Sequence, residues 1–253
     1  DVKGVALSTD GTLMVTAGVD GICVVWDVLE GEEVGRLVHE QRINAVCFAP
    51  RSNSEIATAG EDGMVRIWVR TSEGWGEKVT FEGHSRYVYT LAWKGDLLAS
   101  GGHDESVILW EVESGERATT LDRLRGEVLC VCFAKDKDVM AISAGKAVTL
   151  WDTKRWSILR VFDGHDGEVW SVSLTPHGDL LASASEDETV RVWDCANGEE
   201  LKVLRGSDEA KVVAWSPDGA VLAGGWGDGV VVWKAWDRSF ATLCEVPSER
   251  GLD

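Results

Sequence analysis

The sequence predicts an all-β chain of six repeats, each made of four short antiparallel strands, and three observations carry that prediction. Tryptophans Trp26, Trp68, Trp110, Trp151, Trp193 and Trp233 are spaced by 42, 42, 41, 42 and 40 residues, so one unit recurs along the chain. Each of them ends a β-rich run such as Val65-Arg-Ile or Val190-Arg-Val. A polar break and a second alternating run lie upstream, so Leu181 to Asp194 reads as a tight hairpin around Glu186-Asp187-Glu188. One hairpin cannot bury its own apolar faces, so the units must stack. Four-stranded units repeating at about 40 to 45 residues are the sequence mark of a β-propeller, with blades around a central channel.

Each repeat opens on a strand with the pattern apolar-x-x-apolar-x-apolar: Val2 to Leu7, Ile43 to Phe48, Val88 to Trp93, Val128 to Phe133, Val169 to Leu174 and Ala210 to Trp215. Turn residues follow, as in Thr9-Asp10-Gly11 and Pro217-Asp218-Gly219, and then the hairpin that ends at Trp. A second turn, such as Ser114-Gly115-Glu116 or Asn197-Gly198-Glu199, leads to an outer strand such as Glu33 to Val38, Glu200 to Leu204 or Ser239 to Val246. The repeats run 1–38, 39–80, 81–121, 122–161, 162–204 and 205–246, within one domain covering 1–253. The chain begins with Asp1 rather than Met and at an inner strand, so a piece of a longer protein is expected. Either six blades seal by packing alone, or a seventh lies outside these residues.

Composition narrows the function. With 44 % apolar residues in 253, the chain can build a large core. The 43 acidic against 25 basic residues leave a net charge of −18, which argues against a nucleic-acid partner and against polybasic membrane docking. No run of 18 apolar residues and no opening signal peptide occurs, so a soluble protein is expected. The six cysteines, Cys23, Cys47, Cys130, Cys132, Cys195 and Cys244, show no C-x-x-C spacing and lie in or beside strands. They read as packed, reduced thiols in a reducing compartment, cytoplasmic or nuclear.

The combination of Gly-His, an Asp six residues before Trp, and Trp-Asp resembles the WD-repeat β-propeller family over essentially the whole chain. The resemblance implies a buried tetrad of His, Ser or Thr, Asp and Trp in each blade. His39, Thr58, Asp62 and Trp68 match it, as do His84, Ser100, Asp104 and Trp110, and His165, Ser183, Asp187 and Trp193. Four such polar groups are costly to bury singly and inexpensive together. The first repeat keeps Thr16, Asp20 and Trp26 without a His. The fourth has Leu124 and Gly145 at the His and Asp positions, and the sixth has Gly206 and Gly227 there, with Asp228 one residue away. Blades four and six are therefore expected to be the least stable.

No nucleophile with a paired base, no metal spacing and no phosphate loop emerges, so no catalytic residue, metal or cofactor is expected. His39, His84 and His165 belong to the tetrads, and His177 sits in a turn. The Asp-Gly pairs at Asp10, Asp20, Asp62, Asp218 and Asp228 are tight-turn dipeptides without calcium-loop spacing. The resemblance implies instead a ligand ring on the narrow top face. It maps to Asp1, Lys3 and Val19; Arg42, Asn44 and Glu61; Tyr87, Tyr89 and His103; Glu127, Leu129 and Ala144; Glu168, Trp170 and Glu186; and Glu209, Lys211 and Trp226. Tyr87, Tyr89, Trp170 and Trp226 are expected to face solvent there. Aromatics among carboxylates suit a basic peptide or protein partner. A non-catalytic interaction scaffold in a larger protein or assembly is thus the expected function; the alternatives are a ubiquitin-ligase substrate receptor and a catalytic or metal-binding propeller.

Further tryptophans stand apart from the period. The insertion Thr71-Ser-Glu-Gly-Trp75-Gly-Glu is expected to expose Trp75, and Trp156 and Trp236 follow two of the repeat tryptophans. Trp236-Asp237-Arg238 differs from the Trp-Asp-x-Arg motif of ligase receptors, because its Arg follows the Asp directly.

Overall fold

The computed structural model describes residues 1–227, 229–235 and 239–247, so Asp228 and Trp236-Asp237-Arg238 lie outside the described residues. The chain divides into two compact units, Asp1–Val128 and Leu129–Asp253. Each holds three four-stranded antiparallel sheets in simple chain order. In the first unit these are β1 (Val2–Leu7), β2 (Leu13–Gly18), β3 (Ile22–Asp27) and β4 (Glu33–Val38); β5 (Ile43–Phe48), β6 (Glu55–Gly60), β7 (Met64–Thr71) and β8 (Gly74–Glu82); and β9 (Val88–Lys94), β10 (Leu97–Gly102), β11 (Val107–Glu111) and β12 (Glu116–Leu121). In the second they are β13 (Val128–Phe133), β14 (Val139–Ala144), β15 (Ala147–Asp152) and β16 (Ser157–Phe162); β17 (Val169–Leu174), β18 (Leu180–Ser185), β19 (Thr189–Asp194) and β20 (Glu200–Arg205); and β21 (Ala210–Trp215), β22 (Val221–Trp226), β23 (Gly229–Lys234) and β24 (Ala241–Pro247). The six opening strands start where the apolar pattern places them.

Stacking buries what a single sheet leaves open. Val15, Val25 and Leu37 of the first sheet meet Ile43, Ile56 and Trp68 of the second, and Ala57, Val65 and Ile67 meet Val88, Leu98 and Ile108. In the second unit, Val148, Leu150 and Phe162 meet Val172, Leu181 and Trp193, and Ala182, Val190 and Val192 meet Val213, Leu222 and Trp233. Each fully buried Val or Leu contributes roughly 1.5–3 kcal/mol. Side chains also tie neighbouring first strands: Ser171 Oγ accepts from Val213 N at 3.2 Å, and Ser173 Oγ accepts from Trp215 N at 3.1 Å. They satisfy edge amides that a lone sheet would leave to water.

Two irregularities recur. Between the third and fourth strands the register shifts at the repeat tryptophan in every sheet, at Trp26, Trp68, Trp110, Trp151, Trp193 and Trp233. Between the first two strands a bulge skips Lys3, Asn44, Tyr89, Trp170 and Lys211. At two of these bulges the opposite strand comes so close that a Cβ on Gly60 or Gly102 would lie 1.9 or 2.2 Å from the carbonyl oxygen of Arg42 or Tyr87. Only glycine fits there.

Trp75 departs from the expectation of an exposed indole. The insertion continues the β7–β8 ladder out to Thr71 opposite Gly74, and Trp75 lies half-buried on bare Gly35 of β4, whose Cβ would come within 2.3 Å of the ring. Trp156 has φ 53°, in a turn closed by its N–H on Asp152 O, where the matching turns carry Gly31, Gly115 and Gly198. For a bulky residue that conformation costs about 1 kcal/mol. All six cysteines are unbonded; burial pushes the Cys23 and Cys195 thiols up to about 12, whereas Cys244 is exposed rather than packed. Among the described residues no helix is long and apolar enough to cross a membrane.

Candidate functional site

Buried polar networks fix the sheet ends that carry the candidate residues. In the third sheet, Trp110 Nε1 donates to Ser100 Oγ at 2.8 Å, Ser100 Oγ meets His84 Nε2 at 2.8 Å, and His84 Nδ1 meets both Asp104 oxygens at 3.0 Å. In the fifth, Trp193 Nε1 donates to Ser183 Oγ at 2.9 Å, Ser183 Oγ meets His165 Nε2 at 2.7 Å, and His165 Nδ1 meets Asp187 Oδ2 at 2.8 Å. A carboxylate facing Nδ1 assigns the proton there, so Nε2 accepts from the serine hydroxyl. Burial alone would raise Asp187, but Thr189, His165 and the Asp166 amide hold it down to about 2. Burial also lowers His165 despite Asp187, keeping the imidazole neutral.

The second sheet is wired differently. Trp68 Nε1 donates to Thr58 Oγ1 at 2.7 Å and His39 Nε2 meets the same oxygen at 2.6 Å, but Asp62 Oδ2 stands 3.7 Å from His39 Nδ1. Arg66 Nη1 fills the gap, donating to Asp62 Oδ2 at 2.5 Å and to His39 Nδ1 at 2.9 Å. Nδ1 must then accept and Nε2 carry the proton, opposite to His84 and His165. Nitrogen-15 NMR is expected to report the Nε2–H tautomer for His39 and Nδ1–H for the other two. A shared tautomer would remove Arg66 from the network.

Where the tetrad is missing, other groups take its space. In the fourth sheet Ile142 pairs with Thr149 at the register that Ser183 and Arg191 share in the fifth, and Trp151 Nε1 turns to Thr149 Oγ1 at 2.8 Å. In the sixth sheet the indole of Trp226 lies over Gly206 and Gly224, whose Cβ atoms would come within 2.1 and 2.9 Å of it. Trp226 is 7 % exposed, its Nε1–H donates to Glu188 O at 3.2 Å, and it packs edge-on to Trp233. The expectation of a solvent-facing Trp226 is thus corrected: glycines at the His and Ser positions open a hole that the ring fills.

The remaining ring residues divide by unit. In the first, Asn44 Nδ2 donates to Val88 O at 3.0 Å, so that amide ties two sheets together. Tyr87 is 42 % exposed, while Tyr89 is only partly so and stacks on His103 at 6.1 Å between ring centres, which corrects its expected solvent-facing placement. Burial and then the Glu127 carboxylate raise the Tyr89 phenol above its ordinary pKa. Glu127 Oε1 also lies 2.9 Å from His103 Nδ1, outside hydrogen-bond geometry. Arg42 and Glu61 approach to 3.8 Å. Glu61, Asp62, His84, Ser85, Arg86, Tyr87 and His103 line a cavity of about 300 Å³.

In the second unit Trp170 is half-buried rather than open to solvent, and Lys211 Nζ sits 4.8 Å above its ring centre while pairing with Glu209. Glu168 and Glu186 bind each other: Glu186 N donates to Glu168 O at 2.9 Å, and Glu168 N donates to Glu186 Oε2 at 3.3 Å. Asn44, Tyr89, Trp170 and Lys211 are each the skipped residue of a bulge, which frees a side chain from the sheet face and re-aims it. The sequence signal for this is the apolar-x-x-apolar opening of each repeat. Among the described residues no group of three His, Cys, Asp or Glu could hold a metal ion.

Known proteins share this architecture. The family profile described as WD domain, G-beta repeat matches residues 1–27, 31–69, 75–111, 156–194 and 198–234. A serine-threonine kinase receptor-associated protein of Dictyostelium discoideum is 28 % identical over 225 residues, 87 % of this chain and 75 % of that protein. A protein of the same description from Gallus gallus is 26 % identical over all of this chain and 72 % of its own length. A p21-activated protein kinase-interacting protein 1-like of Xenopus laevis is 27 % identical over 59 % of this chain and 42 % of itself. The solved structure titled U3-55K superposes with a TM-score of 0.87 at 21 % identity, over 97 % of this chain and 81 % of its own. The crystal structure titled RRP9 WD40 repeats superposes equally well.

Proposed function

Since the chain belongs to the WD-domain, G-beta-repeat family of β-propellers, we propose that it is a non-catalytic interaction scaffold that receives a basic peptide or protein segment on the side chains emerging from its first-strand bulges. The observation that carries this reading is Lys211 held over Trp170 and paired with Glu209. The chain's own ammonium already uses an aromatic face with a carboxylate beside it. A partner's Lys or Arg placed there would gain the same cation–π contact, worth roughly 0.5–2 kcal/mol, and the same charge pairing. In the first unit, Tyr87, His103 and Glu61 around their cavity offer a second opening of the same chemistry. Relatives named as receptor-associated and kinase-interacting proteins fit a scaffold role. The unbonded cysteines suit the reducing cytoplasm or nucleus.

Titrating a Lys/Arg-rich peptide into the chain by calorimetry tests this. Lys211→Ala, which removes the internal competitor, is expected to tighten binding about threefold or more. Trp170→Ala is expected to weaken it by roughly tenfold, the equivalent of 1.4 kcal/mol. Tyr87→Ala is expected to weaken it with the melting temperature unchanged, because Tyr87 is exposed. Equal affinity across all three variants rejects the site.

A further inference from the structure

The fourth sheet departs from its neighbours in four ways that converge on its outer edge. It lacks the tetrad, and residues 112–155 fall between the matched family segments. Its outer strand β16 is the edge of its sheet and exposes Ile158 at 50 %, Leu159 at 39 % and Val161 at 40 %. The outer strands β4, β8, β12 and β20 together expose one large apolar side chain, Val38, and β24 exposes two, Leu243 and Val246. Trp156, just before β16, is held half-buried in a strained left-handed conformation where the turns before β4, β12 and β20 use glycine. Finally, β16 is the one outer strand without an Asp or Glu. Its single charge is Arg160, which donates to the carbonyls of Leu159 at 2.9 Å and Ala196 at 2.6 Å and pairs with no carboxylate among the described residues. Arg155 beside the strand is 81 % exposed, with Asp152 3.5 Å from its guanidinium.

A free strand edge with apolar side chains and an unneutralised guanidinium is a template for strand addition. We infer that the β16 edge docks an extended segment of a partner protein that alternates apolar and acidic residues. The segment adds as a fifth strand, with its apolar side chains on Trp156, Ile158 and Val161 and its carboxylates on Arg155 and Arg160. The strain kept at Trp156 places an indole where glycine would be easier.

A fluorescein-labelled peptide alternating Val and Glu, and its Val/Lys counterpart, titrated into the whole chain by anisotropy, test the inference. The Val/Glu peptide is expected to bind saturably and to slow amide exchange along β16, and the Val/Lys peptide is expected not to bind. Arg160→Glu is expected to weaken binding by roughly tenfold or more. Trp156→Gly is expected to raise the melting temperature by relieving the turn and yet weaken the peptide, so misfolding cannot account for the loss. Equal binding of both peptides, binding of neither, or affinities untouched by these variants overturns the inference. So does a dimer in sedimentation that Ile158→Glu dissolves, since a second copy would then own the edge. Lys211→Ala is expected to leave Val/Glu binding unchanged, which separates this edge from the basic-peptide site.

Discussion

Trp226→Ala is expected to lower the unfolding free energy by about 3–5 kcal/mol, the range for truncating a well-packed aromatic. The ring lies over Gly206 and Gly224, packs against Trp233, and donates to Glu188 O. Alanine would leave a hole with no side chain able to collapse into it, because the lining positions that other repeats fill with His and Ser are bare here. The same geometry gives a second, opposite variant. Gly206→Ala, which would help an ordinary loop, is expected to destabilise, since its Cβ would sit 2.1 Å from the indole. Urea unfolding followed by circular dichroism measures both. A cost for Trp226→Ala below about 1 kcal/mol would mean that the ring is surface-exposed after all.

Trp226 also shows where the sequence stops being informative. Its register, just before the turn Asp, puts it among the ligand-ring positions, and register is what a 42-residue period conveys well. Which way an indole turns depends on the space around it, and that space is set by Gly206 and Gly224, each unremarkable in the linear sequence. Arg66 carries the same lesson. Arg66 and Arg191 occupy matching positions, yet Arg191 reaches Glu200 at 2.7 Å while Arg66 wedges between Asp62 and His39, its outer-strand partner Glu77 standing 3.7 Å away. A partner one ångström further away is enough to change the wiring of a buried network. The strands and hairpins were legible because backbone periodicity decides them. The bulges were legible only as a break in alternation, the two intervening positions in the apolar-x-x-apolar opening of each first strand, and their consequence for Tyr89 and Trp170 needed the ladder itself.

Asp187→Ala is expected to cost about 1–3 kcal/mol, read as a lower urea midpoint, because it strands buried donors. The Asp187 carboxylate accepts from His165 Nδ1–H, from Thr189 and from the Asp166 amide. The pH profile separates this account from simple loss of packing. The folded carboxylate is held to about 2 against an ordinary 3.8, so its contribution is complete above pH 3.8 and fades as pH falls towards 2. That shift corresponds to about 2 kcal/mol, in line with the mutational range. His165 acts at a higher pH with the same sign. Its folded pKa lies below the ordinary 6.5, the unfolded chain takes up the proton first, and stability declines as pH drops below 6.5. The wild-type chain should therefore lose stability in two steps on acidification, and Asp187→Ala should flatten the step below pH 3.8. An unchanged acid limb in the variant would show that Asp187 is not the ionised partner of His165, and the fifth sheet would then owe its stability to Trp193 and the apolar stack alone.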